Sequence, residues 1–370
     1  MIFCSRCFVD AELIALIEHS GRKGDCPICG TKNTSLYDTD RDHELDGIFD
    51  SVLSVYTAQD DLSSAYPLDD IQEIGGALIS DWNIFSDIPV HQVTAIAKAL
   101  SPDIAKDYPK LFIQKVGILE KYDIDYLKKH SILHADKWAD FVQTIKHKNR
   151  FHAGLIETEL LKKYCILISK TISAGSQRFY RGRIAHNASG FTCKKMGAPP
   201  IEVATDGRAN SVGISRLYLA DNLETTFHEI RAAEYDYVTI GTFKALRDIK
   251  VVDLKRIALI SPFSIDVDCT ALAINSEHLR RINEEMSKTM RRGDSPLDYL
   301  PTQYIADFIM SITDEKGVPM FDGIEYQSAM HSRGANLTIF YPEVFKCTYC
   351  RTYEVTALAY EKKHIKRVVK

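Results

Sequence analysis

Six of the nine cysteines stand in Cys-x-x-Cys pairs, at 4/7, 26/29 and 347/350. Nothing else in the chain constrains local folding as tightly. A Cys-x-x-Cys turn aims two thiolates at one point, and two such turns supply the tetrahedral sulfur set that zinc prefers. Eighteen residues separate Cys7 from Cys26, a spacing usual for a four-thiolate site. Cys4, Cys7, Cys26 and Cys29 are therefore expected to hold one structural Zn2+. Gly30, after the second pair, suits a turn that needs positive φ. A closed four-cysteine site leaves no position for substrate, so no zinc chemistry is expected there. The third pair, Cys347/Cys350, has no second pair close behind it. It reads as a coincidental reduced pair on a strand, and Cys165, Cys193 and Cys269 read as isolated thiols.

The pattern along the chain gives an α+β class with three domains. Residues 1–36 form the zinc ribbon or knuckle, with a short helix over 10–18. Residues 37–175 read as a helical domain, because DHELDGIFDSVLSVY, VHQVTAIAKAL and ETELLKKYCILISKTI place apolar residues three and four apart. Trp82, Trp138 and Phe141 are expected in its core. Residues 176–370 mix strands and helices without βαβ alternation, which favours α+β over α/β. Strands are expected at 177–183, 212–219, 237–242, 249–254, 323–327 and 336–340, with helices at 276–290 and 303–313. The run 146–150 (KHKNR) is a solvated helix end or an interface with nucleotide, nucleic acid or a partner. The basic stretch 362–370 reads as a solvated tail.

Net charge is −4, so the whole chain is no polyanion binder, although a local basic patch stays open. No apolar run approaches a bilayer span of ~18 residues, which argues against a membrane protein. MIFCSRCFVD carries no charged leader before an apolar core. A cytoplasmic location is the expectation.

Polar groups concentrate in DGRANSVGISRLYLA followed by DNLETTFHE, residues 206–229. This describes a glycine-framed turn, a strand and a helix that Asp221 or Asn222 can cap. Glu229 falls about two turns into that helix. Upstream, YRGR at 180–183 sets arginines on a strand. Downstream, GIEYQS at 323–328 is a strand ending in serine and leads to GANLTIF at 334–340. Asn210 and Asn336 read as turn formers.

Taken in this order, YRGR, GRANSVG-x4-YLA-x8-E, GIEYQS and GANLTIF resemble the RES-domain proteins over about residues 176–345. The cysteine module and helical region are similar, more loosely, to the HEPN-like extension of some RES proteins. The resemblance implies a C-terminal fold like that of ADP-ribosylating toxins and consumption of NAD+ at its nicotinamide–ribose bond, by glycohydrolase or phosphorylase chemistry. It also implies a toxin or defence setting that arrests growth by depleting NAD+, with an antitoxin or regulatory partner and a homodimer. Carried over by position, Glu229, Arg181, Tyr218 and Ser328 are the catalytic candidates. Arg181, Arg208, Tyr218 and Ser328 are the candidates for binding NAD+. The sequence departs from the family at Ala209, where an aromatic residue is common. The residue types suit the chemistry. A carboxylate stabilises the oxocarbenium ion formed when a glycosidic bond breaks. Guanidinium groups grip a pyrophosphate, and an aromatic face attracts cationic nicotinamide. Two other readings stay open. One is a protein ADP-ribosyltransferase using the same residues. The other is a zinc-dependent nucleic-acid-binding or interaction protein with a degenerate RES domain. Against the second, Arg150 and His152 in the helical region lack the Arg-x4–6-His spacing of HEPN ribonucleases.

Overall fold

The structure is a computed structural model that describes residues 1–134, 138–265, 267–289 and 294–359. The basic stretch 362–370 lies outside them. The class is α+β, as expected. Two compact units emerge, each discontinuous in sequence. One contains residues 1–144, 149–167 and 256–281, and the other contains 145–148, 168–255 and 282–370.

In the first unit, strand Ile2–Cys4 pairs antiparallel with Thr34–Asp38, which also pairs with Lys23–Gly24. Helix Ala11–His19 lies between the two cysteine turns, as expected. The Asp10 carboxylate caps it by accepting from the amides of Glu12 and Leu13 at 3.0 and 3.1 Å. Further helices run Ile74–Asp81, Val90–Ala99 and Thr158–Leu167. Trp82 and Phe141 are buried, and Trp138 packs against Phe141 at 5.0 Å between centroids. The expected helical character of 37–175 needs correction. Thr57–Ala58, Gln72–Glu73 and Lys115–Gly117 form a small antiparallel sheet. Only Asp50–Leu53 of the stretch 42–56 is α-helical.

The second unit is built on an eight-stranded sheet. Its strands are β1 (Ser169–Ile172), β2 (Phe179–Ala185), β3 (Leu217–Ala220), β4 (Tyr237–Ala245), β5 (Ile249–Asp253), β6 (Gly323–Gln327), β7 (Ala335–Ile339) and β8 (Phe345–Glu354). They lie in the order β8-β4-β2-β3-β7-β6-β5-β1. All neighbours are antiparallel except β5 and β6. Alternation places Phe179, Leu217, Leu219, Phe243, Val251, Leu337 and Ile339 in one buried cluster. The expected strand at 212–219 is shorter than its sequence suggested. Gly213 takes φ 80°, and pairing starts only at Leu217. A glycine in the left-handed region ends the extended run on its N-terminal side.

The second unit also holds α1 (Leu223–Glu229), α3 (Leu300–Ser311) and the C-terminal end of α2 (Cys269–Ser287). Asn222 caps α1, its side chain accepting from the Thr225 amide at 2.8 Å. Beneath the sheet's parallel pair, Lys170 reaches Asp253 and Glu325 at 3.0 and 2.8 Å, and Lys255 bonds Glu325. Both carboxylates are buried, so each needs these partners.

Candidate active site

The sheet is nearly divided between β2 and β3, which share a single bridge, Tyr180 with Ala220. Beyond that bridge the strands part. Helix α1 follows β3 and lies against β2, leaving a cavity of about 280 Å³ that is open to solvent. This is close to the lower end of small-molecule sites, roughly 300–1,000 Å³. Gly182 makes the helix contact possible. A Cβ there would stand 2.9 Å from Thr226 Cγ2 and 3.0 Å from Ile230 Cδ1.

Arg181 and Tyr218 come from the two parted strands, and Glu229 ends α1; all three line the cavity. Glu229 is fixed through one oxygen. Its Oε1 accepts from Ser328 Oγ at 2.6 Å and from Asn336 Nδ2 at 2.7 Å. Ser328 is itself locked, because its Oγ accepts from the amides of Met330 and His331 at 3.2 and 3.1 Å. Ser328 therefore acts on the cavity through Glu229 and is a positioning residue. Neither of these bonds engages Oε2. His331 supports the same corner, with Nδ1 2.8 Å from Thr225 Oγ1 and its ring stacked on His228.

Arg181 provides the opposite charge. Where the β2–β3 ladder stops, its Nη1 lies 3.5 Å from the Tyr218 carbonyl. Its Nε is buried with no hydrogen-bond partner among the described residues. Burial, with Arg183 nearby, lowers its pKa to about 10, so it stays cationic at neutral pH. A cation with spare donors beside a cavity is suited to an anion.

Tyr218 uses its hydroxyl internally. It donates to Asn210 Oδ1 at 2.6 Å and accepts from the Ala209 amide at 3.1 Å. Burial pushes its pKa well up, so the phenol stays neutral and offers the cavity its ring. Asn210 is a turn former as expected, its Nδ2 donating to the carbonyls of Thr205, Ser211 and Ile214. Gly207 leaves the room for this turn, since a Cβ would come within 2.8 Å of both Tyr218 OH and Asn210 Oδ1. Buried Gln303 of α3 ties the turn down from behind, its Nε2 donating to the carbonyls of Gly207 and Asn210 at 2.9 Å each.

Arg208 is placed differently from the other candidates. Its guanidinium donates to the carbonyls of Glu285, Met286 and Lys288 at the C-terminal end of α2. Cations suit that end of a helix, where carbonyls lack intrahelical partners. Asn336, read from sequence as a turn former, is instead on β7 and beside the carboxylate. Tyr326 of the GIEYQS strand also lines the cavity. Its hydroxyl is 3.3 Å from Thr338 Oγ1, and burial raises its pKa to about 12. The signal for both was the alternation of GIEYQS and ANLTI. Tyr326 pairs with Asn336, which pairs with Ala220, putting all three in one cross-strand row.

In the first unit the four N-terminal cysteines converge. Sγ distances are 3.9 Å for Cys4–Cys7, 3.5 Å for Cys4–Cys29 and 3.7 Å for Cys7–Cys26. Tetrahedral zinc with ~2.3 Å bonds places its sulfurs ~3.8 Å apart, so the donors fit that ion. Gly30 takes φ 72° after the second turn. Burial pushes the Cys7 thiol well up and Cys4 to about 11. Burial also raises Cys29, but hydrogen bonds from Thr31 and the neighbouring thiols outweigh it and bring this thiol to about 6.

The family model of the RES domain matches residues 182–357. This part of the chain is a RES domain. The match takes in Glu229, Ser328 and Asn336 and begins one residue after Arg181. A RES domain is consistent with an NAD-related, toxin-like enzyme. Searches of curated proteins and of solved structures return no match. No helix among the described residues is long and apolar enough to cross a membrane.

Proposed function

We propose that the RES domain cleaves the nicotinamide–ribose bond of NAD+, as a glycohydrolase or phosphorylase, and that depleting NAD+ arrests growth. The observation that carries this reading is the Glu229 carboxylate, pinned by Ser328 and Asn336 at a cavity that Arg181 also lines. In the reaction the C–N bond breaks and its electron pair leaves with neutral nicotinamide. The ribose carbon acquires oxocarbenium character, which Glu229 stabilises, and an oxygen of phosphate, or of water that releases a proton to solvent, adds to it. Arg181 grips the pyrophosphate, and the Tyr218 ring faces the cationic nicotinamide before cleavage. Arg208 supports the site by fixing its turn to α2. Zinc on Cys4, Cys7, Cys26 and Cys29 serves structure.

An enzyme of this kind needs restraint in its own cell. We infer an antitoxin or other regulatory partner and a cytoplasmic setting where NAD+ is plentiful; a homodimer belongs to the same proposal. The test is turnover of NAD+ by the full chain, read by mass spectrometry with and without phosphate, beside Glu229→Gln. ADP-ribose without phosphate identifies a glycohydrolase, and a phosphate-dependent phosphorylated product identifies a phosphorylase. ADP-ribose attached to added protein would move the assignment to a transferase. Intact NAD+ in every arm would overturn the proposal.

A further inference from the structure

The pair Cys347/Cys350 is not the coincidence its sequence suggested, and Cys193 is not isolated. Cys350 Sγ lies 3.5 Å from Cys347 Sγ and 2.9 Å from Cys193 Sγ. All three thiols fall within 4.8 Å of one another. We propose that they form a second metal site, a three-thiolate Zn2+ site whose fourth position is left to water or a small exogenous ligand.

The backbone is arranged for it. On a regular strand, residues three apart point to opposite faces. Here the ladder slips between Thr242 and Phe243 of β4. Gly241 pairs with Cys350 and Phe243 pairs with Cys347, so three steps on β8 match two on β4. This bulge turns both sulfurs to one face. Gly241 supplies the space, since a Cβ there would stand 3.0 Å from Cys347 Sγ.

The third thiol arrives from the long connection between β2 and β3. That connection is anchored on both sides of Cys193. The Phe191 amide donates to Thr239 Oγ1 at 3.0 Å, and Arg183 stacks on the Phe191 ring at 4.4 Å. Met196 is fully buried in the core cluster. The thiol is thus brought to the cluster by the fold, and a shift of roughly 1 Å takes it to the ~3.8 Å sulfur spacing of tetrahedral zinc. Three converging soft donors select zinc over hard cations. A disulfide would use two of them and leave the third unexplained. Each of the three cysteines is half-buried, so solvent can complete a tetrahedron.

The site would staple the connection that carries the 206–210 turn to edge strand β8. It lies two strands from Arg181 in the row Arg181–Gly241–Cys350, about 10 Å away at the usual strand spacing.

Metal analysis of the full chain, purified in reductant without chelator, is the test. Two zinc ions per chain are expected, one for each cluster. Cys193→Ser and, separately, Cys347→Ser should each leave one. Cobalt(II) titration should show thiolate charge-transfer bands from both sites in the wild type and lose one set in either variant. Wild-type content of one zinc overturns the proposal without reference to any variant. So does content that stays at two in both variants. A Cys193–Cys350 disulfide recovered by rapid alkylation and peptide mapping of the native chain also overturns it.

Discussion

Ser328→Ala tests the positioning of Glu229 most directly. The Ser328 Oγ to Glu229 Oε1 distance of 2.6 Å belongs to short, charge-assisted hydrogen bonds. Such a bond contributes ~1.5–3 kcal/mol. Asn336 keeps its own 2.7 Å bond to the same oxygen, so the carboxylate is loosened and not released. The loss should therefore sit at the lower end, about 1.5 kcal/mol, which is roughly tenfold in kcat. Asn336→Leu should cost a similar factor. The double variant should approach Glu229→Gln, whose loss of about 2.7–4 kcal/mol corresponds to roughly 100–1,000-fold. Two tenfold steps reach the bottom of that range. The KM for NAD+ should hardly move, because Ser328 acts through Glu229. The assay is steady-state NAD+ consumption, with circular dichroism to confirm folding. Wild-type kcat in Ser328→Ala, or an effect confined to KM, would refute this reasoning.

Arg181→Lys keeps the charge but loses the planar fork, so KM for NAD+ should rise on the order of tenfold, and Arg181→Ala should raise it on the order of 100-fold; titration calorimetry with NAD+ checks both. Gly207→Ala forces a methyl against Tyr218 and Asn210 and should destabilise by about 1–3 kcal/mol, read as a lower midpoint in urea. Glu325→Gln strips the buried network of the carboxylate shared by Lys170 and Lys255 and should cost about 3 kcal/mol; an unchanged melting temperature would speak against it. Cys7→Ser should lower zinc content by one ion per chain and leave Cys347/Cys350 coordination intact in the cobalt spectrum.

The four-cysteine site was legible because its geometry is local, with two tight turns and a short strand–helix link. The strand at 323–327 and the Asn222 cap were legible for the same reason. The second cysteine cluster was not, since Cys193 is joined to Cys347 and Cys350 only by the sheet. The bulge that aligns the latter two leaves no mark in a Cys-x-x-Cys spacing. Asn336 passed for a turn former by residue type, and only its cross-strand row reveals what it faces. Arg208 looked like a ligand by residue type, while the carbonyls it satisfies come from a helix nearly 80 residues further on. The small sheet at 57–117 escaped because strands of two or three residues cannot display alternation.

The single bridge between Tyr180 and Ala220 makes the sheet a hinge with one pin. Ladder hydrogen bonds cannot set how far β2 and β3 diverge beyond it, because none remain. The gauge is the absent side chain of Gly182, which lets α1 settle against β2 at one fixed depth. Substituting alanine and then valine there should wedge helix from strand and carry Glu229 away from Arg181 in graded steps. The reach between carboxylate and guanidinium, and with it the length of ligand the cleft can span, is thus written in the size of one residue that touches neither.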